Sequence, residues 1–401
     1  MVAPRTRAGR YVKQPNGYRA FVPAPLPPDP PVAVDAALVE RAALALARLD
    51  GIAQTLPDPD LFVAMYVRRE AVLSSQIEGT QSTLEDVLAF EIDAQGAELP
   101  QDVEEVVNYV HAMNYGLERV ESLPVSLRLI REIHERLLQG VRGNEKEPGE
   151  FRRTQNWIGP ANTPLARASF VPPAVPDMAR ALDNFERFLH ERHDLPVLVH
   201  SALAHAQFET IHPFLDGNGR VGRLLIIFLL VNRGVLHKPL LYLSHYLKEH
   251  RAEYYDRLRA IREDGNWEGW VSFFLQGVAE VAEEASERAR AIVQLREGQR
   301  RVLQEGRMGP NALRLLDLLY RSPIVNGAFV SRELNVTFPT ALRLLQLLME
   351  GGLLDEVTGG RRYRRYQFNS YLALFAEDGS PTHGADSGEG GTPPQGTEAE
   401  A

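Results

Sequence analysis

The chain has 401 residues, of which 44% are hydrophobic and 24% charged, a composition typical of a folded protein of two or three domains and unlike a collagen-like or disordered chain. Acids outnumber bases by 53 to 44, so the net charge of −9 argues against a protein that coats nucleic acid by charge alone. Cysteine is absent, which excludes disulfides, cysteine-ligated zinc, iron–sulfur clusters and a thiol nucleophile. The longest apolar run, 224–231, is too short for a membrane span, and no signal peptide is recognisable, so we expect a cytoplasmic protein.

Hydrophobic residues follow a helical period along most of the chain, which predicts an all-α fold. Residues 1–33 are rich in proline and are expected to form an extended arm. Residues 34–121 and 122–308 are expected to be an N-terminal helical region and a helical core. Within them the predicted helices cover 34–49, 59–79, 82–91, 101–121, 126–139, 177–192, 197–209, 218–233, 249–263 and 268–300.

Turn formers between short extended runs in 149–175 predict a β-hairpin that interrupts the helices. At the other end of the chain, 376–401 holds six acids, no base and no Val, Ile, Leu or aromatic residue. Such a segment cannot bury enough apolar surface to offset its ordering entropy, so we predict a disordered tail.

A separate C-terminal unit is predicted over 309–375, with helices at 310–320, 331–334 and 338–349 and two strands within 353–368. Thr337 is expected to cap the last of these helices. Three helices followed by a hairpin match a winged helix-turn-helix domain. The residues expected to contact DNA bases are Thr340, Arg343 and Gln346, and those expected near phosphates are Arg361, Arg362, Arg364 and Arg365. The alternative is a small packing domain with a solvated basic hairpin.

The segment HPFLDGNGRVGR, residues 212–223, places a glycine-rich loop directly before an apolar helix. Gly217 and Gly219 let backbone N–H groups turn inward as an anion nest, and the first helical turn adds the positive end of the helix dipole. Arg220 and Arg223 are spaced i, i+3 and share one face, where both can reach a polyphosphate. The alternative is an ordinary helix N-terminus with a glycine-rich loop before it.

Two further side chains in this segment suit phosphate chemistry. Asp216 is a hard oxygen ligand able to hold Mg²⁺ between two phosphates. His212 can accept a proton near neutral pH. No phosphate loop of the GxxxxGK[ST] type is present, so the segment itself predicts the nucleotide site.

The segment resembles the Fic family motif HxFx(D/E)GNGRxxR at every defined position. The resemblance implies an all-helical Fic core with a short β-hairpin flap, and an enzyme that transfers AMP from ATP to a hydroxyl side chain of a target protein. It implies His212 as general base and Asp216 as the Mg²⁺ ligand. The nucleotide-binding residues that it implies are Gly217, Asn218, Gly219, Arg220, Val221, Gly222 and Arg223.

The resemblance extends beyond the motif. PGEFR, NWIG and FVPP, at 148–152, 156–159 and 170–173, are similar to the family's flap, which aligns a target segment by strand addition. The flap residues expected to matter are Trp157, Ile158 and Gly159. The segment 242–267 also looks similar to the family, so Tyr254 or Tyr255 is expected to contact the nucleotide, with helix packing as the alternative.

SSQIEG, residues 74–79, matches the family's inhibitory motif (S/T)xxxE(G/N). Ser74 and Glu78 lie one turn apart on a predicted helix that Gly79 ends. A carboxylate at a helix C-terminus opposes the local dipole and is expected to have a tertiary partner. The resemblance supplies Arg223, which would be withdrawn from the γ-phosphate. The alternative is a solvent-exposed Glu at a helix end.

The sequence therefore predicts an autoinhibited protein adenylyltransferase with ATP as substrate and Mg²⁺ as cofactor. Its expected partners are a target protein with a Ser, Thr or Tyr hydroxyl and DNA at the C-terminal unit, with no membrane. A homodimer and self-modification remain open. Two alternatives stay open as well: an enzyme that removes AMP or transfers another nucleotide, and a transcription regulator that senses a nucleotide.

Overall fold

Helices dominate the computed structural model, which describes residues 6–55, 59–92, 100–160, 163–191, 194–306, 308–359 and 364–376. The helices up to residue 305 are α1 (Ala36–Thr55), α2 (Pro59–Ile77), α3 (Leu84–Ile92), α4 (Val103–Val120), α5 (Leu127–Leu137), α6 (Val175–His190), α7 (Val197–Ile211), α8 (Asn218–Asn232), α9 (Ser244–Glu249), α10 (Arg251–Asp264) and α11 (Trp267–Glu305). The predicted mostly helical fold is confirmed. The short α9 was not predicted.

Helices α7 and α8 lie at the centre of the core. Both are buried on nearly all sides, as expected of helices that are apolar all round. Helices α2, α4 and α5 contact α8, and α6, α10 and α11 contact α7. The loop 212–217 that joins α7 to α8 is therefore held at one end of the packed core. No helix among the described residues is both long and apolar enough to cross a bilayer.

The N-terminal segment is not the extended arm that its proline content predicted. Strands β1 (Gly9–Lys13) and β2 (Arg19–Pro23) pair antiparallel, with Tyr11 opposite Phe21. Phe21 is buried and its ring packs on those of Tyr11 and Phe170. Burial of these aromatic rings stabilises a hairpin here, whereas a local reading of the proline pattern could not reveal it.

The flap, here residues 156–171, has less strand pairing than the predicted hairpin. Ile158 and Phe170 form one antiparallel bridge, in which the Ile158 N–H donates to the Phe170 carbonyl at 2.8 Å. Between these two residues, Leu165–Arg167 form a 3₁₀ turn. The described residues of the flap thus form short extended backbone rather than two regular strands.

The C-terminal unit contains α12 (Pro310–Arg321), β3 (Ile324–Asn326), α13 (Gly327–Leu334), α14 (Phe338–Glu350), β4 (Asp355–Glu356) and β5 (Arg365–Gln367). The sheet order is β3-β5-β4, so it includes one strand, β3, that was not predicted. Thr337 precedes α14 as expected, but its hydroxyl bonds to Thr340 instead of capping the helix. The tail beyond 376 lies outside the described residues.

The C-terminal unit packs on α2, the helix that carries Ser74. Helix α12 contacts α2, and β3 contacts α3. Near the last described residues, the Phe375 ring lies 5.5 Å from the Tyr66 ring in an edge-on arrangement, and Arg69 donates to the Phe375 carbonyl. The unit is therefore in direct contact with the predicted inhibitory helix.

Candidate active site

The loop 212–217 is fixed by an unusual backbone and by a side chain of α8. His212 ends α7 in the left-handed region at φ 49°, a conformation that costs free energy and persists only where the surroundings enforce it. Asn218 supplies part of this enforcement, since its side chain accepts from the Phe214 N–H and donates to the Phe214 carbonyl, both at 2.9 Å. The side chain of Asn218, which was expected to bind the nucleotide, thus closes the loop by bonding to Phe214.

Two side chains from the chain around the flap hold His212 in place. Arg152 is 1% exposed and donates from Nε to the His212 carbonyl at 3.0 Å. Asn156 donates to the same carbonyl at 3.1 Å and to the Phe214 carbonyl at 2.8 Å. These charged and amide donors satisfy loop carbonyls that the left-handed turn leaves without helical partners.

His134 on α5 joins the loop to the turn before the flap. Its ring stacks on Phe214 with centroids 3.7 Å apart. The Gly149 N–H donates to Nδ1 at 2.9 Å, so Nε2 carries the proton and donates to the Asp216 carbonyl at 3.1 Å. Burial lowers the pKa of His134 to about 4, which keeps this tautomer neutral.

His212, the expected general base, lies where α7 ends and the loop begins. Its ring is partly buried, and Nδ1 has no hydrogen-bond partner within the described ranges. Burial, together with the positive charge of Arg152, lowers its pKa to about 4. The imidazole is therefore neutral at pH 7 and can accept a proton.

Asp216 fits the role expected of a Mg²⁺ ligand. Its side chain is 38% exposed, and Oδ1 accepts from the Gly217 N–H at 2.6 Å, whereas Oδ2 has no hydrogen-bond donor among the described residues. No group of three His, Asp or Glu side chains suited to a metal occurs in the described part of the chain. One carboxylate completed by substrate phosphates is a common way for proteins to hold Mg²⁺, so the donor set fits this ion.

Arg220 is buried and held by a carboxylate that sequence analysis did not identify. Its side chain is 2% exposed, and Nη1 donates to Oε2 of Glu105 at 3.2 Å. Arg142 donates to the same oxygen at 3.1 Å, and Asp216 lies 3.8 Å from Arg220. Glu105 therefore orients Arg220 from α4, and the guanidinium lies close to the expected metal ligand.

Arg223 is held by the predicted inhibitory motif. Its Nε donates to the Ser74 hydroxyl at 2.7 Å, and Nη2 donates to the Ser74 carbonyl at 2.9 Å and to Oε1 of Glu78 at 2.7 Å. Burial alone would raise the pKa of Glu78, but the charge of Arg223 outweighs it and holds that pKa below its usual value. Helix α2 ends at Ile77, and Glu78 and Gly79, the latter at φ 101°, form the turn that follows it. Arg223 thus has two acceptors on Ser74 of α2 and one on Glu78 in this turn.

A second carboxylate, Glu209, lies next to this pair on α7. It is 8% exposed, and Oε1 has no hydrogen-bond partner among the described residues. A Cβ on Gly222 would overlap this oxygen, so the end of the Glu209 side chain would have to move to accept a larger residue there. Burial raises the pKa of Glu209 to about 7, opposed by the charge of Arg223.

Known proteins match the part of the chain that builds this site. Residues 36–118 match the sequence model described as Fic/DOC family N-terminal, and residues 124–230 match that of the Fic/DOC family. In these two regions the chain belongs to the Fic/DOC family. They include the predicted inhibitory motif, residues 74–79, and the whole segment from His212 to Arg223.

Curated relatives are named Protein adenylyltransferase Fic. The relative from Drosophila grimshawi is 32% identical over 213 residues, which is 52% of this chain and 39% of that protein. The relative from Drosophila melanogaster is 31% identical over 213 residues, again 52% of this chain and 39% of that protein. The chain therefore spans well under two thirds of the curated relatives that it matches.

Two solved structures share the fold. A Fic family protein from Desulfovibrio desulfuricans superposes with a TM-score of 0.53 at 20% identity, over 84% of this chain and 98% of that one. A Fic domain containing signaling protein from Bacteroides thetaiotaomicron superposes with a TM-score of 0.51 at 17% identity, over 63% of this chain and 97% of that one. At these identities the likeness concerns the Fic fold alone.

The two tyrosines expected near the nucleotide differ in position within this Fic core. Tyr254 is 1% exposed and its hydroxyl lies 2.9 Å from Nε2 of His205. The expectation of a nucleotide contact is therefore corrected for Tyr254, which packs in the core because its hydroxyl finds a buried partner. Tyr255 is 40% exposed and stays a candidate. Val221 is buried as well, and its N–H donates to the Gly217 carbonyl at 3.0 Å.

The Fic flap exposes the residues that the sequence singled out. Trp157 and Ile158 are 42% and 37% exposed, and Gly159 is also exposed. The indole N–H of Trp157 donates to the Thr163 carbonyl at 2.7 Å, which fixes the ring against the flap's own loop. The flap therefore offers apolar side chains and extended backbone next to His212.

Sequence reasoning missed four residues of this Fic site: His134, Arg152, Glu105 and Glu209. All four are buried polar side chains. A charged or polar residue on the apolar face of a predicted helix is the available signal, because such groups are seldom buried without a partner. That signal marks His134, Glu105 and Glu209, but it does not reveal what they bind.

Proposed function

We propose that the protein is an autoinhibited protein adenylyltransferase, which transfers AMP from ATP to a Ser, Thr or Tyr hydroxyl of a target protein. The observation that carries the proposal is the set of three hydrogen bonds that Arg223 donates to Ser74 on α2 and to Glu78 just after it. These bonds lie beside the loop that begins at His212, whose ring is neutral. The names of the curated relatives support the same reaction class.

In the proposed reaction the target hydroxyl oxygen attacks the α-phosphorus of ATP. A new oxygen–phosphorus bond forms as the bond from the α-phosphorus to the bridging oxygen breaks, and pyrophosphate leaves with the electron pair. His212 takes the hydroxyl proton. The first turn of α8, from Asn218, directs backbone N–H groups and the positive end of its dipole to the phosphates, with Arg220 beside them.

Mg²⁺ would be held by Asp216 and would neutralise charge on the phosphates. Asp216 is positioned for this role by the Gly217 N–H and by His134, which donates to the Asp216 carbonyl. These contacts set the orientation of the carboxylate before a ligand arrives, so little reorganisation is needed.

The brake acts on Arg223. While Glu78 and Ser74 hold the guanidinium, it cannot reach the terminal phosphate, and ATP is expected to bind in a pose unsuited to in-line attack. Removal of Glu78 takes away the one charged acceptor of Arg223, so the guanidinium becomes available to the phosphate.

The test is labelling by α-labelled ATP in a lysate, with wild-type protein, Glu78→Gly and Glu78→Gly combined with His212→Ala. We expect strong labelling only with the Glu78→Gly protein, and the modified proteins are then identified by mass spectrometry. Parallel reactions with α-labelled UTP, GTP and CTP define nucleotide preference. Equal labelling by wild type and Glu78→Gly would contradict autoinhibition.

A second candidate reaction, removal of AMP from a modified protein, is favoured by one observation. The Glu78 side chain is 32% exposed and is close enough to raise the pKa of His212, although burial lowers it overall. A carboxylate in that place can position a water molecule. A target is first labelled with AMP by the Glu78→Gly protein, and wild-type protein is then added. Release of AMP from the labelled target would support this reaction.

For the C-terminal unit we propose a winged-helix domain that binds DNA. Its order of helices and strands supports this fold. Arg343 and Gln346 are exposed on α14, Thr340 is half-buried, and Arg364 and Arg365 lie at the start of β5. Arg361 and Arg362 lie outside the described residues. Salt-sensitive gel-shift binding that survives His212→Ala would support a nucleotide-sensing regulator.

A further inference from the structure

The β1–β2 hairpin lies outside both regions that match the Fic/DOC family, and it packs directly on the flap. The Phe21 N–H donates to the Val171 carbonyl at 2.9 Å, so β2 continues the backbone pairing of the flap's second arm. The Phe21 ring lies 6.2 Å from that of Phe170, the residue that pairs with Ile158. Hairpin and flap thus form one continuous surface.

This surface reaches the catalytic loop. Tyr18, next to β2, donates its hydroxyl hydrogen to Oε1 of Gln155 at 3.2 Å. The next residue, Asn156, donates to the His212 carbonyl. Two hydrogen-bonded neighbours therefore connect the hairpin to the carbonyl of the proposed base, and the hairpin borders the flap that is proposed to align a target.

The hairpin is basic although the whole chain is acidic. Residues 6–28 contain Arg7, Arg10, Lys13 and Arg19 and no Asp or Glu. Arg7 pairs with Glu268, whereas the other three side chains are exposed. Lys13 and Arg19 are register partners, so they project from the same face as Tyr11 and Phe21.

The charges around the hairpin preserve this positive character. The flap adds Arg167, which is exposed, and Arg153, whose side chain is 76% exposed, precedes it. Glu150 lies between Arg131 and Arg153. Glu263, whose charge acts on Tyr11, lies 4.0 Å from Arg259. Glu150 and Glu263 are therefore already paired with arginines.

We propose that the hairpin and flap together select target segments that carry Asp or Glu beside the acceptor hydroxyl. This inference rests on the proposed transferase function. Complementary charge raises the rate of encounter and discriminates against basic segments. Because Lys13 and Arg19 are not placed among the reacting groups, they are specificity residues and affect KM for the target more than kcat.

The test uses full-length Glu78→Gly protein, α-labelled ATP and synthetic peptides with one Thr, Ser or Tyr. Each peptide is made with acidic, neutral or basic flanks. We expect kcat/KM to be about tenfold higher for acidic than for basic flanks, which corresponds to about 1.4 kcal/mol. Addition of Lys13→Glu and Arg19→Glu should remove this preference through KM, with kcat within about twofold. Arg290→Glu with Arg301→Glu, exposed on α11, is the matched control and should keep the preference.

The outcomes separate the inference from the proposed function. Equal labelling of acidic and basic peptides, or lysate proteins modified at sites without acidic neighbours, overturns the selectivity and leaves the transferase intact. No labelling of any peptide or lysate protein contradicts the transferase itself. Binding of a fluorescent oligonucleotide that Lys13→Glu with Arg19→Glu abolishes, without any peptide preference, would assign the surface to nucleic acid and overturn the inference.

Discussion

A Cβ atom on Gly219 would overlap Oε1 of Glu78, so this carboxylate lies directly against the first turn of α8. The carboxylate thus occupies the place where the nest and helix dipole favour an anion. The same oxygen accepts from Arg223 at 2.7 Å. Glu78 therefore satisfies the local positive field that a nucleotide phosphate would otherwise satisfy, which gives the proposed brake a physical basis beyond its ion pair.

Loss of the acceptors on α2 should release Arg223 in a graded way. Ser74→Ala removes one of three acceptors and should raise AMP transfer a few-fold. Glu78→Gly removes the charged acceptor, and a charged hydrogen bond of about 1.5–3 kcal/mol predicts an increase of roughly 10- to 150-fold. Initial rates of labelling from α-labelled ATP measure both.

Ser75→Ala is the control for this series. Ser75 is also buried on α2, but its hydroxyl has no partner among the described residues. The Ser75→Ala protein should therefore transfer AMP at the wild-type rate. Activation by Ser75→Ala as large as that by Glu78→Gly would mean that any perturbation of α2 relieves inhibition.

The rate of the Glu78→Gly protein should not fall with a midpoint near pH 6.5, where an ordinary histidine titrates. Burial, with Arg152, lowers the pKa of His212 to about 4, and Glu78 opposes this shift, so its removal cannot raise the value. Because the base must be neutral, the rate falls only when the pH approaches that value. Between pH 8 and 5.5 we expect less than about twofold loss of kcat/KM, against about tenfold for an unperturbed histidine. A fall with a midpoint near 6.5 would show that His212 is solvated in the active state.

Gly222→Ala should destabilise the fold, because its Cβ would overlap Oε1 of Glu209. Overpacking of this kind costs about 1–3 kcal/mol. Combination with Glu209→Ala removes the overlapping atoms and should recover part of the loss, seen as a coupling energy in a double-mutant cycle of thermal or urea unfolding.

Gly298→Ala provides the comparison, since Gly298 lies within α11 and nothing lies within 4 Å of its added Cβ. Greater helix propensity should stabilise that variant by about 0.5–1 kcal/mol. If Gly222→Ala were equally stabilising, the carboxylate of Glu209 would not be confined against α8.

His134→Phe should impair catalysis more than stability. The phenyl ring keeps the stack on Phe214 but loses the hydrogen bonds to the Gly149 N–H and the Asp216 carbonyl. A shifted Asp216 should lower kcat of the Glu78→Gly protein by roughly 10- to 100-fold and raise the Mg²⁺ concentration needed for half-maximal rate.

His200→Phe separates this effect from general loss of a buried histidine. His200 also stacks on a phenylalanine, Phe188, with ring centroids 4.4 Å apart, and its Nε2 lies 3.0 Å from the Phe188 carbonyl. Unfolding should be affected similarly in both variants, whereas kcat should fall only in His134→Phe. Equal loss of activity in the two would contradict a positioning role for His134.

The amino-acid sequence by itself determined most of the helices and the loop before α8. The 3.6-residue period and the turn residues are local properties, so α8 begins at Asn218 and α14 at Phe338 as predicted. The spacing of the motif placed Asp216 in the loop before α8, and Arg220 and Arg223 in the first two turns of that helix.

The tertiary structure alone decided which partners these groups have. Arg223 bonds to a carboxylate 145 residues away, and Arg220 to one 115 residues away. Ion pairs over such separations depend on how helices pack, and no local pattern encodes the choice among 53 carboxylates. The same holds for Tyr254, buried on His205, and for the β1–β2 hairpin, because burial against distant residues outweighed the local preference that the sequence expressed.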